Sequence, residues 1–148
     1  HTRIPPHIVF HKKIILPEDV IVLRGEKRFT LSVEKVQKID VIYDIGPNTA
    51  GRLGLLAKSA KFVLWNGTFG ICEKGFCDGT KLFARALEKS RAYCVVGGGD
   101  TDAAIRALRL EKNFDFISTG GGAMLKFLAE GTLVGIEAIK SYTNSHVV

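Results

Sequence analysis

The chain has 148 residues, the size of one ordinary domain and enough to bury a real core. With 46% hydrophobic and 24% charged residues the composition is globular, which excludes disorder, and no apolar run approaches the roughly 20 residues that a membrane helix needs. The formal charge of +6 favours anionic ligands, but the basic residues are scattered, with Lys12-Lys13 and residues 58–61 the densest spots, so neither nucleic acid nor a membrane is expected as a partner.

In chain order, residues 1–13 read as an amino-terminal extension or irregular segment and residues 14–148 as the domain proper. Ile14-Ile15-Leu16 is too short for a secretory signal and is closed by Pro17. Short stretches rich in Val, Ile and aromatics predict strands over residues 14–23 (interrupted at Pro17), 41–45, 62–65, 93–96 and 116–119. Residues 24–28 read as an exposed turn. Helical spacing of apolar residues predicts helices over 49–58, 76–89, 102–109 and 123–129. Strand and helix alternate, and the later strands are apolar on both sides. That pattern predicts an α/β fold with a three-layer parallel sheet and helices on both faces, of the Rossmann-like kind. Ligands of such sheets bind at the carboxyl ends of the strands. The loops there are Gly46-Pro47, Asn66-Gly67 and two runs of three glycines, Gly97-Gly98-Gly99 and Gly120-Gly121-Gly122.

The glycine runs are the sharpest chemical signal. A strand that ends in glycines and turns into a helix leaves backbone N–H groups uncovered at the positive end of the helix dipole, which makes an anion site. Asp100 follows the first run, and a carboxylate beside a phosphate site makes sense with a Mg²⁺ between them. Thr101 offers a hydroxyl to a phosphate oxygen; the plainer alternative is a tight turn with Asp100 as helix N-cap. The second run carries no acid and suits a phosphoryl group in flight. Ser118-Thr119 is placed to cap the helix that follows. Glu73 is a candidate for ribose hydroxyls, or simply an acid in a first helical turn, and Trp65 reads as core. No G-x4-G-K-[ST] or G-x-G-x-x-G string occurs in these loops, and no His stands near them. The four histidines, His1, His7, His11 and His146, lie near the chain ends, a placement that fits loose termini better than catalysis. Cys72 and Cys77 are spaced C-x4-C with no second pair, and Cys94 lies in an apolar strand; all three are expected to be reduced, which points to a cytoplasmic protein. The chain begins at His1 and its only methionine is Met124, from which we expect a piece of a longer protein.

Three motifs in this order and spacing resemble the carboxyl-terminal, nucleotide-binding part of phosphoglycerate kinases: residues 65–73 (WNGTFGICE), residues 97–101 (GGGDT) and residues 118–123 (STGGGA). Residues 14–20 (IILPEDV), 44–47 (DIGP) and 75–80 are similar to that family as well, so the likeness runs from about Ile14 to Ile139. The resemblance implies a partial domain of a glycolytic kinase that moves a phosphoryl group between 1,3-bisphosphoglycerate and MgADP, giving 3-phosphoglycerate and MgATP. It further implies ADP or ATP with Mg²⁺ as ligands and an absent amino-terminal domain that binds the phosphoglycerate. Carried over by motif, Asn66 and Gly67 line the nucleotide cleft and Glu73 holds the ribose. Gly98, Gly99, Asp100 and Thr101 hold nucleotide phosphates, with Asp100 directed at Mg²⁺, while Gly121 and Gly122 face the transferring phosphoryl group. Thr68 stands where the family usually has proline, Val134 replaces a common proline before Gly135, and Met124 and Lys126 are unusual in the helix after the glycines. Lacking the other substrate's half-site, the chain alone is expected to be inactive. The alternative is a stand-alone nucleotide- or anion-binding module that catalyses nothing. An exposed sheet edge leads us to expect self-association or a rearranged stretch around Thr2 to Lys13.

Overall fold

Asp19–Arg24 (β1) and Lys27–Ser32 (β2) fold back on one another with Arg24 opposite Lys27, which leaves Gly25-Glu26 as a two-residue turn. Gly25 has φ +60°, the left-handed conformation that a type II′ hairpin demands at its first central position. The turn expected over residues 24–28 is thus the tip of a hairpin. The structure, a computed structural model, describes residues 11–146, so that most of the 1–13 extension and of the stretch around Thr2 to Lys13 lies outside the described residues. The chain divides into two units, His1–Leu56 with Phe69–Phe83, and Ala57–Thr68 with Ala84–Val148.

In the first unit the sheet order is β2-β1-β3, with Val41–Ile45 as β3, antiparallel to β1. Residues 41–45 do form the expected strand, but they do not join the parallel sheet. The reason lies in β1: its Asp19, Val20, Ile21 and Val22 are all buried. A buried strand must pair its backbone groups on both edges, and β3 supplies the second edge. Helix α1 (Pro47–Ser59) opens on proline, whose missing N–H costs nothing there. The Asp19 carboxylate accepts from the next two amides, Asn48 N–H at 3.0 Å and Thr49 N–H at 2.8 Å. A Cβ on Gly46 would lie 2.6 Å from Asp19 Oδ1, so glycine is required where the chain passes this carboxylate. Helix α2 (Asp78–Glu88) is held in the same way: Asp44 of β3, 2% exposed, accepts from Gly79 N–H at 3.0 Å. Burial pushes the Asp44 carboxyl above its ordinary range, against the pull of the Gly79 and Ile45 amides. Tyr43 and Phe76 stack at 4.4 Å, and Phe69 meets Phe83 edge-on at 5.3 Å.

Cys72 and Cys77 are joined by a disulfide, which corrects the expectation that all three cysteines are reduced. A 3-10 turn over Cys72–Lys74 followed by Gly75 at φ +80° brings their Cα atoms to 4.5 Å, within bonding range. Cys94 stays a free, buried thiol.

The second unit carries the expected α/β pattern. Strands β4 (Phe62–Asn66), β5 (Tyr93–Gly97) and β6 (Phe116–Ser118) form a parallel sheet in that order. Helices α3 (Gly99–Ala107) and α4 (Gly121–Glu130) follow β5 and β6 directly. The core is built from Trp65, Leu87, Cys94, Val96, Ile105 and Phe114. A last helix, α5 (Val134–His146), is an element the sequence pattern did not announce. Among the described residues no helix is long and apolar enough to cross a membrane.

Candidate functional site

The parallel register sets Asn66 beside Gly97, and Gly97 beside Ser118, so the carboxyl ends of β4, β5 and β6 form one row. Four hydrogen bonds, two of them between backbone groups, hold the loops that leave this row. Gly98 N–H donates to Ser118 O at 3.1 Å, joining the β5 loop to β6. Gly67 N–H lies 3.4 Å from Gly97 O and donates to Thr101 Oγ1 at 3.0 Å, joining the β4 loop to α3. From the other side Trp65 Nε1–H donates to Gly67 O at 2.8 Å. Gly67 and Gly98 sit at φ +95° and +99°, conformations that side chains rarely adopt.

Glycine is also required for close approach. A Cβ on Gly121 would lie 2.6 Å from Gly98 N and 2.8 Å from Gly98 Cα. A Cβ on Gly97 would lie 2.7 Å from Asn66 Oδ1 and would collide with Met124 Cε. The Asn66 amide is therefore lodged between the two glycine runs. At Gly99 and Gly122, by contrast, an added Cβ meets nothing within 4 Å, so the backbone there faces open space.

Both helices that leave these loops begin without a side-chain cap. The N-cap of α3 is Gly98 and that of α4 is Gly120, and no side chain bonds to either helix start. The first helical bonds are Asp102 N–H to Gly98 O at 3.0 Å and Met124 N–H to Gly120 O at 2.9 Å. The amides of Gly99, Asp100 and Thr101, and of Gly121, Gly122 and Ala123, are left ahead of those bonds, at the positive ends of two helix dipoles. Helices α1 and α2 spend their first amides on Asp19 and Asp44. No side chain takes the first amides of α3 and α4.

Asn66, Gly67, Gly98, Gly99, Asp100, Thr101, Gly121 and Gly122 are brought together in the second unit. Asp100 is exposed at the second position of α3, not the N-cap. Thr101 is fully buried, and its hydroxyl accepts from Gly67 N–H where a phosphate contact was expected; the tight β4–α3 junction draws it inward. Ser118 and Thr119 do not cap α4, because the N-cap position falls on Gly120. Glu73 belongs to the first unit, exposed in the 3-10 turn over Cys72–Lys74. Among the described residues no three His, Cys, Asp or Glu side chains gather to hold a metal ion. A single carboxylate at a phosphate site fits Mg²⁺, which takes one or two protein oxygens and completes its shell with phosphates and water. Sequence reasoning missed the part of Trp65, which is core as expected but also fixes Gly67; no periodicity marks an indole N–H for such a bond.

The phosphoglycerate kinase family model matches residues 9–131. The solved structure of phosphoglycerate kinase from Coxiella burnetii is 40% identical, with a TM-score of 0.72 over 80% of this chain and 32% of that one. Phosphoglycerate kinase from Pyrococcus horikoshii OT3 is 30% identical, with a TM-score of 0.76 over 89% of this chain and 33% of that one. The chain thus spans about a third of the length of these relatives.

Proposed function

This chain belongs to the phosphoglycerate kinase family, and from that premise we propose that it is the nucleotide-binding part of a kinase that passes a phosphoryl group between 1,3-bisphosphoglycerate and MgADP. The observation that carries this reading is the pair of uncapped helix starts at glycine loops, side by side at the ends of β5 and β6. The exposed amides of Gly99 and Asp100 hold the nucleotide phosphates, the Asp100 carboxylate would take Mg²⁺, and the buried Thr101 serves the nucleotide site by fixing Gly67. The bound ion supplies charge neutralisation between the phosphates. Gly121, Gly122 and Ala123 present amides to the phosphoryl group in transfer, where positioning and electrostatics do nearly all of the work. Asn66 and Gly67 line the cleft, fixed by Trp65 and Thr101. Glu73 takes the ribose hydroxyls. The proposed compartment is the cytoplasm, on the family alone, since the Cys72–Cys77 disulfide removes the argument from reduced cysteines.

The chain carries one substrate's half-site only, so by itself it binds without turning over. Calorimetric titration with MgADP tests the reading. Binding by the chain that weakens at least about tenfold in Asp100→Ala supports it, that being the loss of one charged contact. Equal binding by both, or turnover by the chain alone, contradicts it.

A further inference from the structure

Helix α4 is lightly anchored. Gly121 is buried, Met124 is half-buried and every other residue of the helix is exposed. Met124 is thus the one side chain of α4 that is not exposed. Its backbone closes the first turn, Met124 N–H to Gly120 O at 2.9 Å. Its thioether reaches back past the helix start to the end of β5. A Cβ on Gly97 would lie 3.2 Å from Met124 Sδ and would meet Cε closer still, so the methyl fills the place that a side chain at 97 would take. Asn66 Oδ1 stands beside it, 2.7 Å from the same Cβ position. Together with the close approach of Gly121 to Gly98, this contact sets the second glycine loop against the first. All of these residues belong to the second unit.

We propose that Met124 is a positioning residue for the second glycine loop and a reversible oxidation site, through which a peroxide lowers affinity for the terminal phosphate of a bound nucleotide; the inference rests on reading the two loops as the nucleotide site. In the reduced form the flexible thioether fills the gap at Gly97 and aims the amides of Gly121 and Gly122. In the oxidation the sulfur lone pair attacks one peroxide oxygen and the O–O bond breaks. That oxygen stays on sulfur, and the other leaves as water; sulfur loses two electrons and the peroxide gains them. The sulfoxide oxygen then has Asn66 Oδ1, an acceptor, for a neighbour. The nearby donors are spent: Gly98 N–H on Ser118 O and Gly67 N–H on Thr101 Oγ1. The polar group turns to solvent, the methyl leaves Gly97, and α4 loses its side-chain anchor. The reaction is selective in this chain. Met124 is its only methionine, and Cys72 and Cys77 are already joined. Cys94 is buried, and that burial first, with the Asp115 carboxylate second, pushes its thiol above the ordinary value, which leaves little of the reactive thiolate.

The test titrates the chain with MgATP and with MgADP before and after hydrogen peroxide, with mass spectrometry to show the gain of one oxygen at Met124. Oxidation should weaken MgATP roughly three- to tenfold, the order of one freed side chain's rotamer entropy. It should leave MgADP, whose phosphates lie on the first loop, unchanged. Methionine sulfoxide reductase should restore the MgATP affinity. Met124→Leu keeps an apolar end against Gly97 and has no sulfur; it should bind MgATP as the untreated chain does and ignore peroxide. Met124→Gln, polar at the same length, should bind as the oxidised chain does. Unchanged MgATP affinity after complete oxidation overturns this inference alone. So does an equal loss for MgADP, which marks a general loosening, a peroxide response that persists in Met124→Leu, or a thioether that resists peroxide in the folded chain. Failure of the untreated chain to bind either nucleotide overturns the nucleotide reading and this inference with it.

Discussion

Gly121 and Gly122 are neighbours in sequence with opposite surroundings. A methyl group on Gly121 would press into the backbone of Gly98, which cannot swing aside as a side chain can. A methyl group on Gly122 would stand in open space. Gly121→Ala is therefore expected to cost about 1–3 kcal/mol of stability by overpacking, and Gly122→Ala to stay within about 0.5 kcal/mol of the parent. Chemical denaturation of the two variants checks this; similar losses in both would mean that the loops are not packed against each other. The same logic explains why this part of the site was legible from residues alone. Triple glycines at strand ends are a backbone signature, and the backbone is what the site uses. Thr101 was placed less well, because whether a hydroxyl turns outward to a ligand or inward to Gly67 depends on a contact 34 residues away in sequence.

At the scale of elements, Arg24 at the end of β1 forms a two-pronged ion pair with Asp40, Nε to Oδ1 at 2.7 Å and the second prong to Oδ2 at 2.9 Å, while Gln37 N–H donates to Oδ2 at 2.8 Å. The Arg24 guanidinium first, and the Gln37 amide second, hold the Asp40 carboxyl at about 2, below its ordinary 3.8. A folded-state pKa below the unfolded one means that this contribution is complete above about pH 5 and is lost as pH falls through the folded value. Thermal melts of Asp40→Asn should accordingly fall less steeply than those of the parent as pH drops from about 5 towards 2; parallel pH dependences would show that the pair does not couple to folding. Elements differed in how plainly the sequence announced them. Strands β3 to β6 and helices α1 to α4 follow their apolar patterns to within a few residues. Strand β2 was missed: Phe29 and Leu31 do alternate with polar neighbours, but two apolar residues make a short signal, and residues 24–28 were read as a turn. Helix α5 is poor in buried positions. The antiparallel placing of β3 was hidden for another reason, since a strand's own residues state that it pairs but not with which partner.

For the molecule as a whole, the second unit's sheet ends at β4, an edge strand with Phe62 57% and Leu64 38% exposed and no further strand paired beyond it among the described residues. An apolar edge with unpaired backbone groups is a template for a second copy. We propose that the isolated chain self-associates through it. Sedimentation velocity over a range of concentrations should show a dimer growing with concentration, and Leu64→Lys should abolish it; a clean monomer throughout would contradict the proposal. With about a third of the length of its relatives, the chain is proposed to supply one face of a two-substrate reaction. The two uncapped helix starts are proposed as its phosphate site. The most direct measurement is a titration with MgADP followed residue by residue through backbone amide nuclear magnetic resonance shifts. The account predicts the largest changes at Gly99, Asp100 and Thr101, extending to Gly121 and Gly122, and smaller ones with adenosine in place of MgADP. Changes that spare both glycine loops, or that are as large with adenosine, would contradict it.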